Sequence, residues 1–163
     1  MEGAALILSM RTNSEKTLYL SAVSADIAEI QSWLARYASA GDAAYFMIKY
    51  LVDAIVTVRI FDPKGVRFSW GASIMSNNRH SLAAIESALM VYAYAVDHLG
   101  FKSAHFDVRK GNGRIWQFHE PFGAQHVSET DMDYFYCLDG DTMGPARQRY
   151  PRFWPNPFMV HYL

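Results

Sequence analysis

The chain has 163 residues, 51% of them hydrophobic and 15% aromatic, and a formal net charge of -1. That composition excludes a disordered chain, near-neutrality gives no warrant for a broad nucleic-acid surface, and the length fits one domain whose core needs neither metal nor crosslink. Cys137 is the only cysteine, so an internal disulfide and a cysteine-rich zinc pattern are both excluded, and a reducing compartment, the cytoplasm, is the default expectation.

The start, MEGAALILSMRTN, has an apolar run without a basic leader and is a poor match to a signal peptide. Within it, Ala4 to Met10 fits a short strand or the opening of a helix. Ser24 is placed to cap a helix running to about Tyr37, with Ile27, Ile30, Leu34 and Tyr37 at helical spacing. Gly41 and Asp42 stop it. Ala44 to Tyr50 and Ala54 to Phe61 read as strands, Asp62 to Gly65 as a turn, and Val66 to Met75 as a third strand in which Gly71 marks a bulge or a close backbone approach.

After the polar loop Ser76 to Arg79, Leu82 to Leu99 carries the longest helical signal. Leu82, Ile85, Leu89, Tyr92 and Val96 give it one apolar side, and Gly100 ends it. Ser103 to Val108 is a strand, Lys110 to Gly113 a polar turn, and Arg114 to Glu120 a short helix that stops near Pro121. Gln125 to Ser128 and Tyr134 to Leu138 are the last strands. No segment offers the roughly 20 predominantly apolar residues of a membrane helix. Helix, three strands, helix, strand, helix and two strands predict an α+β fold, a mixed sheet with helices layered on it. Residues 1–138 are expected to form this domain. In the extension 139–163, Pro145, Pro151, Pro155 and Pro157 disfavour long regular elements. Its Tyr150, Phe153, Trp154, Phe158 and Tyr162 are expected to pack on the domain or on a partner subunit, as in a homodimer.

Two regions carry candidate chemistry. The loop Ser76 to Leu82 precedes the longest helix, where free backbone amides and the positive end of the helix dipole suit a phosphate and Arg79 adds a guanidinium fork. Ser81 caps the helix whether or not an anion binds. The strand from Ser103 alternates: His105, Asp107 and Arg109 share one face, and Ala104, Phe106 and Val108 take the core face. Three polar residues on one face of an inner strand must pair or look into a cleft. An Asp107–Arg109 pair is one outcome. The other has Asp107 orient a substrate amine, or His105 take its proton through water. His80 and His126 complete no metal set, and no metal is assigned. Arg147, Arg149 and Arg152 form a local basic cluster without a nucleic-acid recognition pattern.

Met75 to Ala124 resembles the acyl-CoA-binding core of the Gcn5-related N-acetyltransferase superfamily, nearest to its branch that acetylates ribosomal-protein or amino-sugar amines. Ala88 to Phe101, ALMVYAYAVDHLGF, is similar to the end of the family's central helix. The family's asparagine turn falls on Asn112, its helical tyrosine on His119, and its glycine-hydrophobic pair on Gly123 and Ala124. Met10 to Asn13 resemble the start of the family's first helix, and Trp33 sits where its second helix often has tryptophan. The loop Asn77 to Ala84 carries neither of the family's two glycines. The likeness spans about Met10 to Leu138.

The resemblance implies a mostly antiparallel sheet with a splayed strand pair, and acetyl-CoA as cosubstrate. Ile74, Ser76, Arg79, His80, Ser81, Leu82, Ala83, Asn112 and Trp116 fall at cofactor-binding positions, and Trp70 and Arg109 at substrate-binding ones. Asn112 also suits a plain turn, and Trp116 plain core packing. His119 is the implied proton donor to the leaving sulfur, where an ordinary histidine near pKa 6.5 serves at neutrality; a helix-end histidine bonded to a carbonyl is its structural alternative. Glu120 is a third candidate base. The implied reaction is acetyl transfer to a primary amine, such as a nucleotide-linked amino sugar, by direct attack in a ternary complex. A peptide N-terminal acetyltransferase and a non-catalytic binding domain stay open as alternatives.

Overall fold

The computed structural model describes residues 2–12, 26–39, 43–50, 53–76 and 82–153. Two compact units divide the chain: residues 1–64 with 69–83, and residues 65–68 with 84–163. In the first, α1 (Glu2–Arg11) and α2 (Ile27–Ser39) precede β1 (Ala44–Tyr50), β2 (Asp53–Lys64) and β3 (Arg67–Met75), whose first two residues belong to the second unit. The second continues with α3 (Ala83–Ala93), whose first residue belongs to the first unit, and a π turn (Tyr94–His98). There follow β4 (Ser103–Arg109), α4 (Gly113–His119), a 3-10 turn (Glu120–Phe122), β5 (Gln125–Glu129), β6 (Asp133–Asp139) and α5 (Met143–Arg149). The six strands run in the order β1-β2-β3-β4-β6-β5. The β1–β2, β4–β6 and β5–β6 pairs are antiparallel, so the sheet is the expected layered α+β kind.

The ambiguous apolar run at the start is a helix, and Met10 and Arg11 end it rather than open one. Asn13 and Ser24 lie outside the described residues. Asp26 caps α2 instead, its carboxylate accepting the Ala28 amide at 2.9 Å. Of the four residues expected to face the core, Ile30 is buried, Leu34 and Tyr37 are half-buried and Ile27 is exposed. Ile30 packs with Ala4 and Ile7 of α1, against Tyr45 and Met47 of β1. On the other face of β2, Val56 packs with Ala83, Ile48 and Met75. The chain reverses at Gly65 (φ +62) after β2, which runs three residues further than expected. A Cβ on Gly71 would sit 3.7 Å from Phe61, an ordinary contact, so no close backbone approach requires glycine there.

In the second unit the buried side of α3 is Ala88, Leu89, Val91 and Tyr92, wider than the expected stripe, while Leu82 is 37% exposed. Small alanines allow close packing that a search for large apolar residues passes over. The π turn bonds Leu99 to the Tyr94 carbonyl, and Gly100 (φ +76) stops the helix as expected. At the base of β4, Lys102 and Ser103 donate to the Val66 carbonyl at 2.7 and 3.4 Å. Gly140 donates to the Lys102 carbonyl at 2.7 Å, so close that a Cβ on Gly140 would stand 2.8 Å from that oxygen. Pro145 does not prevent α5, because a proline in the first turn removes an amide that has no helical partner. Met143 and Ala146 of α5 are buried, and Arg147 pairs with Asp97.

Phe122 is the hub of this unit. It is 2% exposed, with ring centroids 5.2 Å from Phe118, 5.6 Å from Tyr150 and 6.0 Å from Tyr92. It thereby ties the end of α4 to α3 and to the segment after α5. The Phe122→Ala variant is expected to lose about 3–5 kcal/mol of stability, read as a lower denaturant midpoint. A loss within 1 kcal/mol, roughly what a surface change costs, would contradict this packing.

Candidate active site

In the second unit, β4 alternates as its sequence predicts. Ala104, Phe106 and Val108 are buried, His105 is half-buried, and Asp107 and Arg109 are exposed. Arg109 does not pair with Asp107. Its cross-strand neighbour on β6 is Asp133, and the two form an ion pair at 3.3 Å. Asp107 instead stands opposite Phe135, and His105 opposite Cys137.

The turn after β4 closes through the Asn112 amide, which donates to the Arg109 carbonyl at 2.7 Å. Asn112 has φ -103, outside the left-handed region, and its side chain makes no capping bond to α4. The ordinary reasons for asparagine in a turn are therefore not in use here. Trp116, one turn further, is half-buried.

His119 ends α4. It is 6% exposed, and its ring lies 4.5 Å from Phe106 and 5.0 Å from Phe118. Burial pushes its pKa down to about 3, because an imidazolium would lose its hydration there. This differs from the expectation of a histidine titrating near neutrality: with its pKa lowered this far, the ring is neutral at pH 7. Tyr136, which the sequence reading missed, shares this face. It stacks on Phe106 at 5.6 Å with 12° between the rings, and burial, with Glu120 and Tyr134 nearby, raises its pKa. Period-2 alternation of Tyr134 and Tyr136 along β6 was the signal available for it. His105 and Asp107 point to the opposite face of β4 from Phe106, so His119 is not gathered with them on one side of the strand. Glu120 is exposed.

In the first unit, Ile74 and Trp70 are buried at 2% and 7% exposure, Ser76 is half-buried, Leu82 is exposed and Ala83 is buried. Arg79, His80 and Ser81, with the rest of the loop 77–81, lie outside the described residues.

A scan against protein-family models found no match, and no curated protein matched. Solved structures did. Apo FdhC, described as a nucleotide-linked sugar GNAT, is 33% identical over 94% of this chain and 90% of that one, with a TM-score of 0.85. Two further structures share the fold. PseH of Campylobacter jejuni, solved with acetyl coenzyme A, is 16% identical over 85% of this chain and 90% of that one (TM-score 0.68). A GCN5-related N-acetyltransferase from Brucella melitensis is 15% identical over 96% and 80% (TM-score 0.73). An identity of one third sustained over nearly the whole chain, on this strand order and with an asparagine turn leading into α4, shows that the chain belongs to the Gcn5-related N-acetyltransferase superfamily and is one of its N-acetyltransferases.

Proposed function

We propose that this enzyme moves the acetyl group of acetyl-CoA to the primary amine of a nucleotide-linked amino sugar. The observation that carries the acceptor class is the 33% identity, over 94% of the chain, to a nucleotide-linked sugar GNAT. The residues fit the cosubstrate: Asn112 has an amide side chain not spent on capping α4, and Trp116 sits half-buried one turn beyond it. In the first unit the proposal adds Ile74, Ser76, Leu82 and Ala83, and from the loop Arg79, His80 and Ser81. Acetyl-CoA, when bound, supplies an activated thioester carbonyl.

The chain's own groups divide the remaining work. Asp107, exposed on β4, orients the amine, and His105 on the same face takes its proton, so that the nitrogen attacks as a neutral nucleophile. On the other face of that strand His119 offers one N–H from a neutral imidazole to the sulfur as negative charge gathers there; the C–S bond breaks, and the thiolate leaves as CoA thiol with the second proton, which the nitrogen sheds after attack. Arg109, half-exposed and held by an exposed ion pair worth about 0–1 kcal/mol, exchanges Asp133 for an anionic part of the substrate at little cost. Trp70 contributes to substrate binding from the first unit. No acyl-enzyme is invoked: burial and the neighbouring Asp139 raise the Cys137 thiol, away from the nucleophilic thiolate. A homodimer through residues 139–163 and a cytoplasmic location belong to the same proposal.

A panel of primary amines tests the acceptor. Release of free CoA thiol should be fastest with nucleotide-linked amino sugars; faster turnover with peptide N-termini would replace this reading with the peptide one. The His119→Ala variant should lose about 100-fold in kcat, the usual weight of one well-placed donor, with acetyl-CoA binding unchanged. Unchanged kcat would remove His119 from the chemistry. His119 also sets a stability limb. Its folded pKa of about 3 lies below the ordinary 6.5, so the unfolded chain binds the extra proton first. Stability is complete above about pH 6.5 and declines toward pH 3 by up to about 1.4 kcal/mol per pH unit. Denaturant midpoints between pH 7 and 5 should fall less steeply in His119→Gln than in the wild type. Parallel slopes would mean the imidazole is not held neutral.

A further inference from the structure

The face of β4, β6 and β5 that lies opposite Phe106 and Tyr136 holds an aromatic side chain with no part yet in the chemistry. The strand register sets Arg109 beside Asp133 in one row, and Asp107, Phe135 and Ser128 side by side in the next. Side chains directly opposite stand about 5 Å apart at Cβ, and successive rows about 7 Å apart. Phe135 therefore has the Asp107 carboxylate next to it and the Arg109 guanidinium one row away.

Phe135 is 36% exposed, and no other aromatic side chain is as exposed among the described residues. Its neighbours along β6 are engaged: Tyr136 stacks on Phe106, and Tyr134 meets the His126 ring and the Lys110 ammonium. Phe135 makes no ring or cation contact among the described residues. Asp107, exposed beside it, makes no ion pair or hydrogen bond among them. A lone exposed phenyl needs no explanation by itself. Its place between an unpaired carboxylate and a loosely held guanidinium gives this one a role.

Charge complementarity names the occupant. Asp107 suits an amine. One row on, Arg109 is half-exposed and held by an ion pair at 3.3 Å that an anion can displace. A nucleotide-linked amino sugar carries these groups in the same order: an amine, one ring, then a diphosphate. The C–H face of that ring is its apolar side and covers the phenyl, while its hydroxyl edge reaches the exposed Ser128. A peptide N-terminus has the amine but no anion fixed one ring away.

We propose that Phe135 is the platform on which the sugar ring of the acceptor lies, and that it selects ring-borne amines over flexible ones. This rests on the acceptor class proposed above and deepens it.

The test uses the full chain with uridine diphosphate and thymidine diphosphate hexosamines, the amine placed at each ring position in turn, and reads CoA thiol release. With the fastest of them, Phe135→Leu, which keeps apolar bulk but loses the flat ring, should raise the acceptor KM about tenfold and leave kcat within about threefold, because a contact made equally in ground and transition states is lost as binding. Phe135→Tyr keeps the ring and should stay within about threefold of the wild-type KM. The KM for acetyl-CoA and the denaturant midpoint of Phe135→Leu should match wild type, which a merely structural role would not allow. Unchanged acceptor KM in Phe135→Leu, an equal rise in Phe135→Tyr, or a parallel rise in the acetyl-CoA KM would each overturn the proposal. So would a change of mass in solution without a change in acceptor KM, which would give this face to a second copy of the chain. Failure of the acceptor class looks different: amines without a sugar would turn over faster than every one of these probes, and Phe135 would lose its assigned occupant with them.

Discussion

The packing of α4 on the core face of β4 and β6 is the constraint from which the rest of the second unit follows. His119 sits on Phe106, Phe106 stacks on Tyr136, and Phe122 reaches Tyr92 and Tyr150. Aromatic pairs of this kind add about 0.5–1.5 kcal/mol each beyond the area they bury. Together they fix a helix of only seven residues, far too short to hold itself in water. With α4 fixed, the asparagine turn at its start and the histidine at its end have one geometry.

That packing also decides the chemistry open to His119. The rings that hold the helix exclude water from the imidazole, and burial alone brings its pKa to about 3. The imidazole there is therefore held neutral. The ionisable candidates, His105 and Asp107, stand on the opposite face of β4.

Much of this was legible because it is local. The strand from Ser103, the turn at Asn112, the short helix to His119 and the stop at Gly100 each depend on a few consecutive residues, and all stand within a residue or two of where the pattern puts them. What escaped the sequence is non-local. Arg109 chose Asp133 over Asp107 because β6 runs antiparallel beside β4 in a register that no single strand encodes. The Arg59–Tyr37 bond needs α2 laid over β2. The charge state of His119 is a property of its neighbours, not of its residue type. The apolar run before Met10 was ambiguous by length alone, and only packing against Ile30 selects helix.

The claim most exposed to test is that His119 stays uncharged while the enzyme works. Nitrogen-15 NMR of its ring, followed from pH 8 to 5 with acetyl-CoA bound, reads this directly. The account predicts one neutral tautomer throughout, with no titration near the ordinary histidine pKa. An imidazolium signal growing in through about pH 6.5 would contradict it, and with it the burial from which the proposed chemistry was argued.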